Sequence, residues 1–78
     1  MADSRLDTSG YTCPVPILKA KKVLSGMAPG TLLEVVATDP AAPADFDAFC
    51  RATGNTLVES GISGADNRIF RFMIRRSA

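Results

Sequence analysis

One thiol framed by two prolines is the feature most suited to chemistry. Gly10-Tyr11-Thr12-Cys13-Pro14-Val15-Pro16 runs directly into the apolar and basic stretch Ile17 to Met27. That stretch reads as a helix. Proline is favoured at the first helical position, where its missing N–H would be unpaired in any case. With Pro14 in that position, Cys13 becomes the N-cap and Pro16 the third helical residue. Val15 and Ile17 are then the first-turn residues that keep a free N–H. A helix N-terminus carries roughly half a positive charge and favours an anion, so a thiol held there should lose its proton more readily than a free one. The pattern points to a reactive thiolate at Cys13 on a stiffened support, with Pro14 and Pro16 holding the first turn around it.

The other candidates read differently. Cys50 falls with Phe46, Phe49 and Thr53 on an apolar stripe at helical spacing, which marks it as a core residue. The absence of a Cys-x-x-Cys pair, and with it of a resolving partner in the motif, argues against a thioredoxin-like oxidoreductase. Asp39, Asp45 and Asp47 could form an acid/base set, but their position at the start of a second helix favours capping and turn roles. The run Lys19, Lys21, Lys22 reads as a solvated face whose place beside Cys13 could also steer an acidic partner.

These residues must be positioned by a short series of elements. Arg5 to Thr8 is a strand, and Ser9-Gly10 turns the chain toward the Cys13 corner. In the helix that follows, Pro16, Ile17, Ala20, Val23, Leu24 and Met27 share one arc and form its core face. Val15 and Leu18 lie outside that arc, flanked by Lys19 and Lys22, and together these four make a partner-docking patch. Gly26 and Pro29-Gly30 end the helix. Thr31 to Thr38 is a strand with Leu33, Val35 and Ala37 on one face. A second helix starts at Pro43 and stops at Gly54. Thr56 to Ser60 and Ile69 to Arg75 form a hairpin joined through Gly61 to Asn67. Phe70, Phe72 and Ile74 alternate with Ile69, Arg71, Met73 and Arg75, which requires one covered and one open face. Right-handed crossovers put both helices on one side of the sheet. The expected fold is a two-layer α/β sandwich, βαβαββ, with a mixed four-stranded sheet.

Composition bounds the function. The 78 residues, 46% of them apolar, make one folded domain spanning residues 1–78, with little room for a large cleft or an organic cofactor. A formal charge of +1 and sparse aromatics give no direct nucleic-acid binder and no membrane-surface binder. With no histidine and two cysteines, an all-protein zinc site is not expected, nor any other metal site. Met1 to Asp7 lacks the apolar core of a signal peptide and no apolar run reaches bilayer length, so the expected location is the cytoplasm, with both thiols free and the chain a monomer.

The sequence resembles the TusA/SirA/YedF family of small sulfur-carrier proteins. The resemblance rests on Leu6-Asp7 before Gly10, on Cys13-Pro14-Val15-Pro16, and on Lys19-Ala20-Lys21-Lys22. Pro29-Gly30, Thr38-Asp39-Pro40, Asp45-Phe46 and Phe49-Cys50 add to it, so the likeness spans nearly the whole chain. Two positions depart from the pattern of many members: Thr12 replaces a basic residue and Val15 an acid, which weakens assignment to the branch serving tRNA thiolation. The resemblance implies the same βαβαββ architecture. It also implies that Cys13 accepts a sulfane sulfur from a cysteine desulfurase or rhodanese-like donor, carries it as a persulfide and passes it to an acceptor protein's thiol. Such relays serve tRNA thiolation, sulfur oxidation or related traffic, and need no cofactor. The competing reading is a non-catalytic redox-sensing or protein-interaction module.

Overall fold

The structure is a computed structural model that describes residues 3–12, 14–64 and 68–77. Its elements follow the order β1 (Ser4–Thr8), α1 (Val15–Ser25), β2 (Leu32–Ala37), α2 (Ala42–Thr53), β3 (Thr56–Ser63) and β4 (Ile69–Arg75). They build one mixed sheet in the order β1-β2-β4-β3. β1 pairs in parallel with β2, and β4 runs antiparallel between β2 and β3. β1, β2 and β3 therefore point the same way, with their carboxyl ends at one end of the sheet.

Period-two patterning decides which face is covered. Leu33, Val35 and Ala37 of β2 stand opposite Ile74, Phe72 and Phe70 of β4. All but Phe70 are buried, and Phe70 packs against the same cluster. Helix α1 lies against β1 and β2, and α2 against β3 and β4. From α1 come Ala20 and Leu24, with Ile17, Val23 and Met27 half-buried around them, which is the arc expected from the helical period. From α2 come Ala42, Phe46, Phe49 and Cys50. Phe46 is fully buried, stacks on Phe72 with ring centroids 4.7 Å apart and meets Phe49 edge-on at 6.4 Å. Aromatic pairs at these separations add to the stabilisation from burial alone.

The uncovered face carries the charge. Glu34 on β2 takes an ion pair from Arg5 of β1 at 3.4 Å and a hydrogen bond from Arg71 of β4. The Arg71 hydrogen bond, aided by the charges of Arg71 and Arg5, holds its carboxyl below the usual range against a smaller opposing effect of burial. At the other end of the sheet, Arg76 Nε donates to the Leu24 carbonyl at the end of α1, and Ser77 N–H donates to Asn55 Oδ1 at 2.8 Å. A cation at a helix C-terminus satisfies orphan carbonyls and suits the local negative charge.

Several boundaries differ from the sequence reading: β1 starts one residue earlier, β2 is one residue shorter at each end, α1 ends at Ser25, and three further shifts bear on the site and the sheet edge. α1 begins at Val15, with Pro14 in the cap position and Pro16 as second helical residue. α2 begins at Ala42, so Pro43 is also second rather than first. Neither of the first two helical positions needs its N–H, so proline fits both. β3 runs on through Gly61 and Ile62 to Ser63, because pairing with Arg71, Phe70 and Ile69 of β4 keeps it extended where a turn was expected. The Asn67 end of the expected hairpin loop lies outside the described residues.

Replacing Phe46 by alanine should lower the unfolding free energy by about 3–5 kcal/mol, read from urea denaturation. For a domain of this size that is most of its stability. A loss below about 1 kcal/mol would show that this ring does not centre the core.

Candidate functional site

The connections β1–α1 and β2–α2 both leave the carboxyl ends of parallel strands, the end where open α/β sheets present their working groups. A series of short bonds fastens this end. Thr8 is fully buried, and its Oγ1 donates to the Val36 carbonyl at 2.7 Å, tying the end of β1 to β2. Gly10 has φ of 86°, a conformation that favours glycine. Its N–H donates to Thr38 Oγ1 at 2.9 Å. Tyr11 N–H donates to the Thr8 carbonyl at 3.2 Å, and Ser9 N–H to Asp7 Oδ1 at 2.9 Å. The hydrogen bonds from the Ser9 side chain and backbone hold the Asp7 carboxyl below its ordinary value. Residues 7–12 thus approach Cys13 as a cross-tied turn.

Cys13 itself lies outside the described residues, so its expected exposure and N-cap geometry rest on its neighbours. With Pro14 in the cap position, Cys13 precedes the cap by one residue. The Val15 N–H donates to the Thr12 carbonyl at 2.9 Å, and Leu18 N–H to the Pro14 carbonyl at 3.1 Å. This corrects the expectation that the Val15 N–H points free toward the thiol. Pro16 has no N–H, which leaves that of Ile17 as the other first-turn donor. No carboxylate occupies the first turn of α1, so the positive helix end is not offset there.

Thr12 and Pro14 are exposed and Pro16 is buried, so the two prolines serve different ends: one borders the reactive corner, the other anchors the turn in the core. Val15 is half-buried, Leu18 is 58% exposed, and Lys19 and Lys22 are exposed. The spacing i, i+3, i+4, i+7 sets these four along one side of α1. Val15 stands beside the Cys13 corner and Lys22 about 10 Å farther along the helix. Tyr11 is a residue that sequence reasoning passed over. It is 46% exposed, and Lys19 Nζ sits 4.9 Å from its ring centroid in a cation–π contact. The pair borders the reactive corner with a held positive charge. Only the fold brings a loop tyrosine under a lysine in the second turn of α1, and no periodicity announces it.

The remaining candidates take structural roles. Asp39 Oδ1 accepts from Ala41 N–H at 3.1 Å and its carbonyl from Ala42 N–H at 2.9 Å, as the turn entering α2 requires. Asp45 lies in the first turn of α2, and Asp47 pairs with Arg51 at 3.2 Å. Among the described residues no group of three His, Cys, Asp or Glu side chains could hold a metal ion. Nor, among the described residues, is any helix long and apolar enough to cross a membrane. Cys50 is 3% exposed; burial first, then the charge of Asp47, pushes its thiol up from 9.0 to about 11.

That shift has a sign. Between pH 9.0 and about 11 the folded chain keeps a proton on Cys50 that the unfolded chain releases. The contribution is full below that window and is lost as pH rises through it. Stability should therefore fall across this range by an amount on the order of 1–2 kcal/mol. Cys50→Ala should flatten that limb in urea titrations at stepped pH. An unchanged alkaline limb would show that the thiol is not held neutral.

Comparison with known proteins agrees with this architecture. A family model described as sulfurtransferase TusA matches residues 4–76. A sulfur carrier protein TusA from Allochromatium vinosum is 51% identical over 75 residues, covering 96% of this chain and 95% of the relative. A putative sulfur carrier protein from Neisseria meningitidis is 52% identical over 60 residues, with 77% and 81% covered. The crystal structure of a SirA-like protein from Desulfitobacterium hafniense superposes with a TM-score of 0.75 at 21% identity, covering 96% of this chain and 99% of that one, a likeness of fold.

Proposed function

The chain belongs to the TusA sulfurtransferase family, and from that premise we propose that it is a sulfur-relay carrier whose working group is the Cys13 thiol. The observation that carries this reading is the burial of Cys50, one of the two cysteines of the sequence. Cys50 is sealed in the core with its thiol pushed up to about 11. Cys13 lies in sequence between Thr12, the exposed end of a cross-tied turn, and Pro14, the cap of α1. A carrier needs its other thiol sealed, since a second reachable thiol would expel the carried sulfur as sulfide.

The relay is balanced without an external oxidant. The Cys13 thiolate attacks the outer sulfur of a donor protein's persulfide. A new S–S bond forms, the donor's S–S bond breaks, and the donor leaves as a thiolate. Cys13 then holds the sulfane sulfur as a persulfide. An acceptor thiolate attacks that outer sulfur, and the Cys13 thiolate leaves. A cysteine desulfurase or a rhodanese-like protein has the donor chemistry. Free thiols of this kind belong in a reducing compartment, which favours the cytoplasm. The positive end of α1, the Ile17 N–H and the Lys19 charge over Tyr11 all favour the anionic forms of Cys13 and its persulfide.

The test is loading. Incubation with a cysteine desulfurase and cysteine should add one sulfur, seen by intact mass and removed by reductant, and Cys13→Ser should abolish it while Cys50→Ala does not. Absence of the adduct with competent donors, or an adduct retained by Cys13→Ser, would contradict the carrier reading. A redox-sensing module would give oxidised Cys13 without transferable sulfur.

Donor and acceptor must each bring a thiol to Cys13, so both have to cover the same corner. Val15, Leu18, Lys19 and Lys22 are the docking surface there, with a few apolar contacts and charge steering suited to a brief encounter. Leu18→Glu should slow transfer at least about tenfold while changing stability by less than about 1 kcal/mol, measured by single-turnover transfer and thermal melts. Normal transfer in a normally stable variant would place the docking surface elsewhere.

A further inference from the structure

The two edges of the sheet are unequally protected. β1 is five residues long and carries Arg5 and Asp7, charges that discourage pairing with another strand. β3 is eight residues long and holds one charge, Glu59, with no lysine and no proline. The register shift between Leu57 and Glu59 disturbs its first third and leaves Glu59 to Ser63 regularly paired with β4. Val58 and Ile62, two branched apolar side chains of β3, are 48% and 60% exposed. On the helix side, Ile62 borders an apolar groove of about 360 Å³ with Pro43, Phe70 and Phe72. On the open side, a cleft of about 200 Å³ lies over Gly61 between Glu59, Arg71 and Met73. An unprotected edge with apolar side chains and open clefts on both faces is a template for another strand.

We propose that β3 pairs with β3 of a second copy of this chain, antiparallel about a two-fold axis at Ser60, to give a continuous eight-stranded sheet. The register follows from the sequence of the edge. In one continuous sheet, opposed residues project to the same face, so the axis must pass through a residue rather than between two. An axis at Glu59 would set two like charges directly opposite, which is destabilising. An axis at Gly61 would set glycine opposite glycine, with no side chains to pack. The axis at Ser60 sets Val58 opposite Ile62 twice, joining the exposed apolar residues, and sets Glu59 opposite the partner's Gly61. Gly61 stands opposite Arg71 of β4 in its own chain. With no side chain at Gly61, the incoming Glu59 can extend over it through the cleft toward Arg71, about 10 Å away across two strand spacings, where it would share with Glu34 a guanidinium that already donates to Glu34. Glu59 makes no ion pair or hydrogen bond within its own chain among the described residues, so this pairing satisfies a charge that is otherwise idle.

The interface is isologous, as two-fold symmetry requires, and with five or so paired residues it falls below the size of stable interfaces. The association is therefore weak and concentration-dependent, and the chain is a monomer when dilute. α1 packs over β1 and β2 and α2 over β3 and β4, so the start of α1 at Pro14 and Val15 lies away from this edge in both copies.

Sedimentation equilibrium between about 20 μM and 2 mM should show the average mass rising from one chain toward two. Ile62→Lys, at an exposed position, should raise the dissociation constant at least about tenfold with an unchanged thermal melt. In a Cys13→Ser background, Ser60→Cys should form an intermolecular disulfide on mild oxidation, since the axis brings each Ser60 opposite its mate. Thr56→Cys, which this register does not place opposite itself, should form far less. A mass of one chain throughout the range would overturn the proposal. So would association indifferent to Ile62→Lys, or cross-linking equal at the two positions.

Discussion

Parallel pairing of β1 with β2 is the constraint on which the rest of the molecule depends. Two neighbouring parallel strands cannot be joined by a tight turn, so the chain must travel back along the sheet before it re-enters. Here α1 makes that return. The pairing also decides that α1 starts at the carboxyl end of β1, where the Thr8 hydroxyl is bonded to the Val36 carbonyl and Gly10 N–H to Thr38. Cys13 falls in the short passage between that fastened strand end and the positive end of the helix. Under the proposed function, the chemistry at this position follows from topology before it follows from neighbouring side chains.

The two ends of the sheet are then used differently. At one, glycine, threonine and proline hold a turn without covering it, and the Lys19–Tyr11 pair supplies charge. At the other, Arg76 and Asn55 bind the end of α1 and the last strand's exit with hydrogen bonds that close the structure. Between them, Phe46, Phe72 and the β2 side chains fill the core and enclose Cys50. Burial of Cys50 in the packed core leaves the proposed sulfur chemistry to Cys13, without needing a cleft.

Much of this was legible in the sequence. The alternation of Phe70, Phe72 and Ile74 with Arg71 and Met73 identified the covered face of β4, and the helical period identified the buried arc of α1 and left Leu18 outside it. The sequence puts the helix start one residue early because proline satisfies both the first and second helical positions, and nothing in Pro14-Val15-Pro16 chooses between them. For the same reason the sequence leaves the Val15 N–H free, whereas in the fold it bonds the Thr12 carbonyl. Gly61 read as the start of a turn, yet strand pairing overrides local preference when the partner strand is long enough. The Tyr11–Lys19 contact and the Thr8 and Gly10 bonds join residues far apart in chain or pattern, and only the assembled sheet reveals them.

The proposed role requires that the fold, and not the local sequence, activate Cys13. The most direct test is thiolate formation followed by ultraviolet absorbance across pH in Cys50→Ala, where Cys13 is the sole thiol, once in buffer and once unfolded in urea. The account predicts a folded pKa lower by about one pH unit or more than the unfolded value, which should lie near 8.5. Equal values in the two states would contradict it.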